Sequence, residues 1–269
     1  MHTLSRKVIV ALAGVLALFL VGCTSGPPIK HTYTAIGQDS RVQYLIIHYT
    51  AQSFELAIQT LTKGEASSHY LVRDFPPKIY QLVDEDRRAW HAGKSFWKGQ
   101  TSLNAASLGI ENVNCGFDKF PDGSAVFSGY PDEQIDRLIE LMKPIVKRHK
   151  ISPDRILAHS DINPQQKSDP GPTFPWRRLA AEGLINWPDE SLIDWKRAQY
   201  ERSVPDIAWF QKKLAVHGYE VPSTGVLDPK TRRVITVFQM KYRPENWSGD
   251  PDAETAAILY LMTSVIDGE

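Results

Sequence analysis

Neither sign of charge is in excess: 31 Lys and Arg stand against 31 Asp and Glu in 269 residues. A nucleic-acid binder needs a basic face and a solvated tail needs a run of one sign, so the balance argues against both. Cysteine is nearly missing, with only Cys23 and Cys115, and that excludes a scaffold stapled by several disulfides. Long apolar runs are missing apart from one near the start, so the chain is not a polytopic membrane protein. Collagen-like periodicity and low-complexity tracts are absent as well. What is present, 42% hydrophobic and 10% aromatic residues, suffices for one large core or two modest ones.

The single apolar run covers Val8 to Val21, fourteen residues behind Arg6 and Lys7. That is the length of a secretory h-region and too short to cross a bilayer of about 30 Å. It ends in Leu20-Val21-Gly22-Cys23, small residues before a cysteine that resemble a bacterial lipobox. The resemblance implies diacylation of Cys23 as the mature N-terminus. Thr24, where an Asp would signal retention, implies the periplasmic face of the outer membrane of a Gram-negative bacterium. An ordinary signal or anchor with a chance cysteine is the alternative. Residues 1–22 therefore read as a signal peptide and 23–41, with Gly26-Pro27-Pro28, as a polar tether. Cleavage removes two basic and no acidic residues, leaving 29 − 31 = −2. Cys115 is then the only unmodified thiol, so no internal disulfide forms.

Val42 to Tyr49 (VQYLIIHY) is a β-branched and aromatic run that predicts a buried strand ending at a histidine. Ser53 caps a helical pattern through Leu61. Two strands follow, around His69–Val72 and Ile79–Val83, and a fourth over Ser107–Val113. Pro131-Asp132-Glu133 opens a long helix that Pro144 is expected to kink or split. Arg155–His159 is a short last strand. Strands alternating with helices give an α/β domain over residues 42–186. Residues 187–203, charged and holding Pro188, read as a linker. Residues 204–269 predict a small all-α domain of three helices, started at Pro205, Asp228-Pro229 and Asp250–Asp252. Asp228/Thr231 and Asp252/Thr255 look like a weak internal repeat.

Eight histidines are sorted by position. His2 lies in the signal and His31 in the tether. His149 and His217 fall at helix ends and read as solvated. His48 and His159 each end an apolar strand, where a cleft can form. Two neutral imidazoles and a carboxylate make a first shell for Zn²⁺ with a fourth position open, the catalytic rather than the structural arrangement. Taken singly, each histidine is better read as a satisfied core residue.

The combined pattern is more specific. Ile46-Ile47-His48-Tyr49-Thr50, Ser68-His69-Tyr70, Trp90-His91-Ala92-Gly93, Gly109-Ile110-Glu111, Ala158-His159-Ser160-Asp161 and Lys167-Ser168-Asp169-Pro170-Gly171-Pro172 follow in that order. This resembles the zinc-dependent N-acetylmuramoyl-L-alanine amidases of the amidase-2 type, which share their fold with peptidoglycan-recognition proteins. The fold implied is a mixed central β-sheet flanked by helices. The C-terminal Phe210-Gln211, Gly225-x-x-Asp228-Pro229-x-Thr231 and Phe238-Gln239 resemble the three-helix peptidoglycan-binding module.

The resemblance implies one Zn²⁺ per chain on His48, His159 and Asp169, Glu111 as catalytic acid and base, and Lys167 as a fixed charge beside the oxyanion. Lys167 neutralising Asp169 as a structural pair stays open. Ser68 stands where some relatives carry a tyrosine, so the proton work falls to Glu111. Trp90 and His91 are candidates for a substrate-binding wall, His69 for a hydrogen bond within the sheet, and Cys115 reads as buried or inert. The implied reaction is hydrolysis of the amide between N-acetylmuramic acid and L-alanine in peptidoglycan or muropeptides, by a monomer that binds no nucleic acid. The alternative is a membrane-tethered protein of the same fold that holds peptidoglycan without cutting it.

Overall fold

The protein, a computed structural model, is described over residues 27, 29–122 and 124–267. The signal segment and Cys23 lie outside the described residues. Residues 29–38 are exposed and carry no helix or strand. From Asp39 onward the chain is one compact unit.

Five strands form the central sheet: β1 (Tyr44–Tyr49), β2 (Tyr70–Val72), β3 (Ile79–Gln81), β6 (Ser107–Asn112) and β9 (Ile156–Ala158), ordered β3-β2-β6-β1-β9. β2, β6, β1 and β9 run parallel and β3 is antiparallel at the edge. The unbroken apolar run of β1 follows from burial on both faces. Leu45 and Ile47, with Leu108 and Ile110 of β6, join the core beneath α2 (Asp132–His149). Tyr44 and Ile46 point the other way, into a core shared with the C-terminal helices. α1 (Phe54–Lys63) closes a smaller cluster through Leu61.

Two hairpins escaped the sequence pattern. β4 (Phe96–Trp97) pairs with β5 (Gln100–Thr101), turning on Lys98 and Gly99, both at positive φ. β7 (Phe117–Lys119) pairs with β8 (Ala125–Phe127). Runs of two or three residues are too short to show a period.

α2 runs as one helix and is not split. Pro144 is exposed and so is Glu140, whose carbonyl loses its amide partner on the water side of the helix, where solvent replaces it. After α3 (His159–Ile162) and α4 (Trp176–Ala181), the expected linker contains α5 (Glu190–Tyr200). Asp189 caps it through the Ser191 amide at 3.0 Å, and Ile193 and Tyr200 pack into the shared core. Its charges had masked the narrow apolar stripe.

The three expected helices are α6 (Ile207–His217), α7 (Pro229–Tyr242) and α8 (Ala253–Asp267). α5 lies along α8, with the Lys196 ammonium 3.6 Å from the Tyr260 ring centre. The repeat is real. Gln211 Nε2 donates to Thr231 Oγ1 at 2.8 Å and its Oε1 accepts the Gly225 amide at 2.8 Å. Gln239 does the same with Thr255, at 2.9 Å, and Gly249, at 2.8 Å. Two expectations for histidines fail here. His217 is buried among Trp97, Tyr219 and Tyr242, and burial, then the Lys241 charge, lowers it to about 3. His149 bonds Glu85 at 2.6 Å and Ser40 at 2.7 Å. Both helix ends are covered by other elements, which their local sequence does not reveal. Cys115 is exposed rather than buried.

Candidate active site

Three parallel strands deliver their carboxyl ends to one place, where open α/β sheets form clefts. His48 is the penultimate residue of β1, and Glu111 is its partner in register on β6, so the two side chains share a face. His159, expected to end the strand, instead follows the last residue of β9 and opens α3. The chain then loops so that the Ser160 amide bonds the Asp169 carbonyl at 3.0 Å, which brings Asp169 beside the two imidazoles.

His48 Nδ1 lies 3.0 Å from His159 Nδ1 and 3.2 Å from Asp169 Oδ2, and His159 Nδ1 lies 3.0 Å from the same oxygen. All three residues are buried. Among the described residues this is the cluster of three with a metal-holding arrangement. Burial, then the charge of His159, lowers His48 to about 4, so its ring is neutral near pH 7. Burial opposes the charge of Asp169, but the two imidazoles hold its carboxyl well below the usual carboxylate range.

The tautomer of His48 follows from its neighbours. The Ser107 hydroxyl donates to the Leu103 carbonyl at 2.7 Å, so its oxygen accepts from His91 Nε2 at 3.2 Å. His91 Nδ1 is then an acceptor and takes the proton of His48 Nε2 at 3.1 Å. His48 Nδ1 is left with a lone pair aimed at His159 and Asp169. Two imidazole nitrogens and a carboxylate oxygen crowded together in this way fit a cation. Ligand atoms around tetrahedral zinc stand about 3.3–3.6 Å apart, a few tenths beyond the spacing here.

His91 borders the cleft beside Trp90, but with most of its ring turned inward from it. It is buried against the sheet and hydrogen-bonded to a candidate ligand. It fits because position 109 is glycine: a Cβ there would stand 2.5 Å from His91 Cγ. Trp90 is 53% exposed on the cleft rim, with the Arg88 guanidinium 4.1 Å over its ring. His69 bonds the Gly109 amide at 3.0 Å and the Arg87 carbonyl at 3.1 Å, the role in the sheet expected of it.

The cleft holds about 430 Å³ and is lined by His48, Trp90, Glu111, Phe117, His159, Lys167 and Asp169, among others. Glu111 Oε2 is buried with no hydrogen-bond partner. Burial, then the charge of Asp169, raises its carboxyl well above the ordinary range, so it can hold a proton that other carboxylates release. Lys167 is exposed to the cleft and, among the described residues, forms no ion pair with Asp169. Two residues the sequence did not mark support the set. Ser107 ends the His91 relay, and Asn112 Nδ2 bonds the His48 carbonyl at 2.9 Å.

The N-acetylmuramoyl-L-alanine amidase family matches residues 38–172. The Escherichia coli K12 amidase AmiD is 42% identical over 261 residues, 91% of this chain and 94% of that protein. The chain belongs to the N-acetylmuramoyl-L-alanine amidase family. This amidase hydrolyses the amide between N-acetylmuramic acid and L-alanine in peptidoglycan or its fragments. A peptidoglycan binding domain family matches residues 203–259. Solved structures agree on the whole fold. E. coli AmiD, in complex with the substrate anhydro-N-acetylmuramic acid-L-Ala-D-gamma-Glu-L-Lys, matches with a TM-score of 0.82 at 40% identity, over 91% of this amidase and 97% of that chain. AmpDh3 from Pseudomonas aeruginosa, in complex with anhydromuramic pentapeptide, also gives 0.82, at 37% identity over 89% and 98%.

Proposed function

We propose that this amidase is a zinc enzyme, with one ion held by His48, His159 and Asp169, that acts on anhydro-muropeptides during cell-wall turnover. The observation that carries the reading is the convergence of two imidazole nitrogens and a carboxylate oxygen beside the unpartnered acid Glu111. A zinc ion in that position supplies Lewis acidity, which polarises a carbonyl and makes water acidic near neutral pH.

The chain's own groups do the rest. Glu111 accepts the proton of the water that attacks the lactyl carbonyl and returns it to the departing L-alanine nitrogen, so the elements of water are divided between the two products. Lys167 sets a fixed positive charge beside the oxygen that becomes anionic. His91 holds His48 by its Nε2 proton and keeps Nδ1 free. Trp90 offers an aromatic face to the sugar or stem peptide at the rim. The anhydro sugar is supported by the ligands in the AmiD and AmpDh3 structures.

Residues 1–22 act as a lipoprotein signal in this reading, and Cys23 anchors the chain at the periplasmic face of the outer membrane; the lipobox-like Leu20-Val21-Gly22-Cys23 supports this. Palmitate labelling of the protein in cells should disappear with Cys23→Ser, and labelling that persists would contradict the anchor. For the chemistry, Glu111→Gln should lower kcat by about 10²–10⁴-fold while zinc content stays at one per chain. Wild-type turnover in that variant would remove Glu111 from the mechanism.

A further inference from the structure

Two of the three zinc-ligand candidates lie on one excursion of chain, residues 159–169, and that excursion rests on the C-terminal helices. Asp161, with no exposed surface, accepts the Ala158 amide at 2.8 Å and the Lys241 ammonium at 2.7 Å on Oδ2, and the Tyr219 hydroxyl at 2.6 Å on Oδ1. Tyr219 follows α6 and Lys241 lies on α7; Lys241 is itself buried, 4.4 Å from the Trp176 ring centre. A buried carboxylate is tolerated only with such partners. Further along the loop, Arg233 of α7 donates from Nε to the Pro164 carbonyl at 2.8 Å and from one terminal nitrogen to the Lys167 carbonyl at 2.6 Å and Ser168 Oγ at 2.8 Å. Residues 163–169 belong to no strand or helix. Their carbonyls have no ladder, and the planar guanidinium supplies donors at fixed angles.

We propose that Arg233 and Lys241 are positioning residues for the ligand segment 159–169, so the C-terminal module is part of the amidase centre as well as a candidate wall binder. The inference rests on the reading of His48, His159 and Asp169 as zinc ligands. Arg233 fixes where Lys167 and Asp169 leave the loop, and Lys241 with Tyr219 locks the turn that carries His159. Its neighbour Arg232 points the other way and pairs with Asp250 inside the module, so the two adjacent arginines separate support of the loop from support of the module.

The test uses the full chain with Arg233→Met, Arg233→Gln and, as a control, Arg232→Met. Zinc dissociation constants come from competition with a chromogenic chelator, kcat and KM from a defined muropeptide, and amide exchange of 159–169 from the metal-free protein. Both Arg233 variants should weaken zinc tenfold or more and lower kcat, with KM changed less than twofold. Exchange across 159–169 should quicken while that across 207–217 is unchanged. Arg232→Met should keep the wild-type zinc affinity. A zinc affinity within twofold of wild type in either Arg233 variant, with unchanged exchange, would overturn the inference. A wild-type chain that binds no zinc, or binds it equally well after His159→Ala, would instead refute the ligand assignment.

Discussion

His91 shows what one side chain contributes to a site it does not complete. Its ring sits between Ser107 and His48, donating to the Ser107 hydroxyl oxygen and accepting from His48 Nε2, and it sets which nitrogen of His48 carries the proton. Partners of this kind typically change metal affinity by 10–100-fold. His91→Ala should therefore weaken zinc by about that factor, measured by chelator competition, while KM for a muropeptide changes little; a raised KM with unaltered zinc affinity would return His91 to the substrate wall. The motif around His91 was legible in the sequence, but its direction was not. A turn residue can face the cleft or the sheet, and here the choice depends on the missing side chain at Gly109, eighteen positions away. His48, His159, Asp169 and Glu111 were legible as candidates because strand ends and motif order mark them.

At the scale of elements, the strands and most helices were legible from apolar periodicity and caps: β1, β2, β3, β6, α2 and the three C-terminal helices stand within a few residues of expectation. α5 was not, since only a narrow stripe of it is apolar. The paired glutamines explain why the repeat looked weak. Gln211 and Gln239 are polar residues buried within helices, and what repeats is their bond set to a threonine and a glycine amide. Gln239→Leu leaves the buried Gly249 amide without its partner, which costs about 1–3 kcal/mol. Chemical denaturation should show that loss with no change in zinc affinity, and an unaltered midpoint would mean the loop finds another acceptor.

Across the whole molecule, the sheet buries one face beneath α2 and the other against the C-terminal helices, so the family match at 203–259 is not a detachable appendage. The sequence divides the chain at a charged stretch, whereas burial joins it. His217 sits in that joint, neutral because burial, then Lys241, lowers it to about 3. The unfolded chain takes up this proton below its ordinary value of about 6.5. Stability is thus complete above that pH and is lost as pH falls toward 3, at up to about 1.4 kcal/mol per pH unit from this group. Melting temperatures between pH 7 and pH 4 should fall less steeply in His217→Phe than in wild type, and equal slopes would place the acid sensitivity elsewhere.

In the proposed reading, His48, His159 and Asp169 hold the zinc on which amide cleavage depends. The most direct test is mass spectrometry of a defined anhydro-muropeptide incubated with the protein before chelation, after chelation and after Zn²⁺ is restored. Free stem peptide and the matching anhydro-N-acetylmuramic acid are expected, abolished by chelation and recovered with Zn²⁺. Cleavage at full rate by the metal-free protein, or an intact substrate bound to the zinc-loaded one, would contradict that reading.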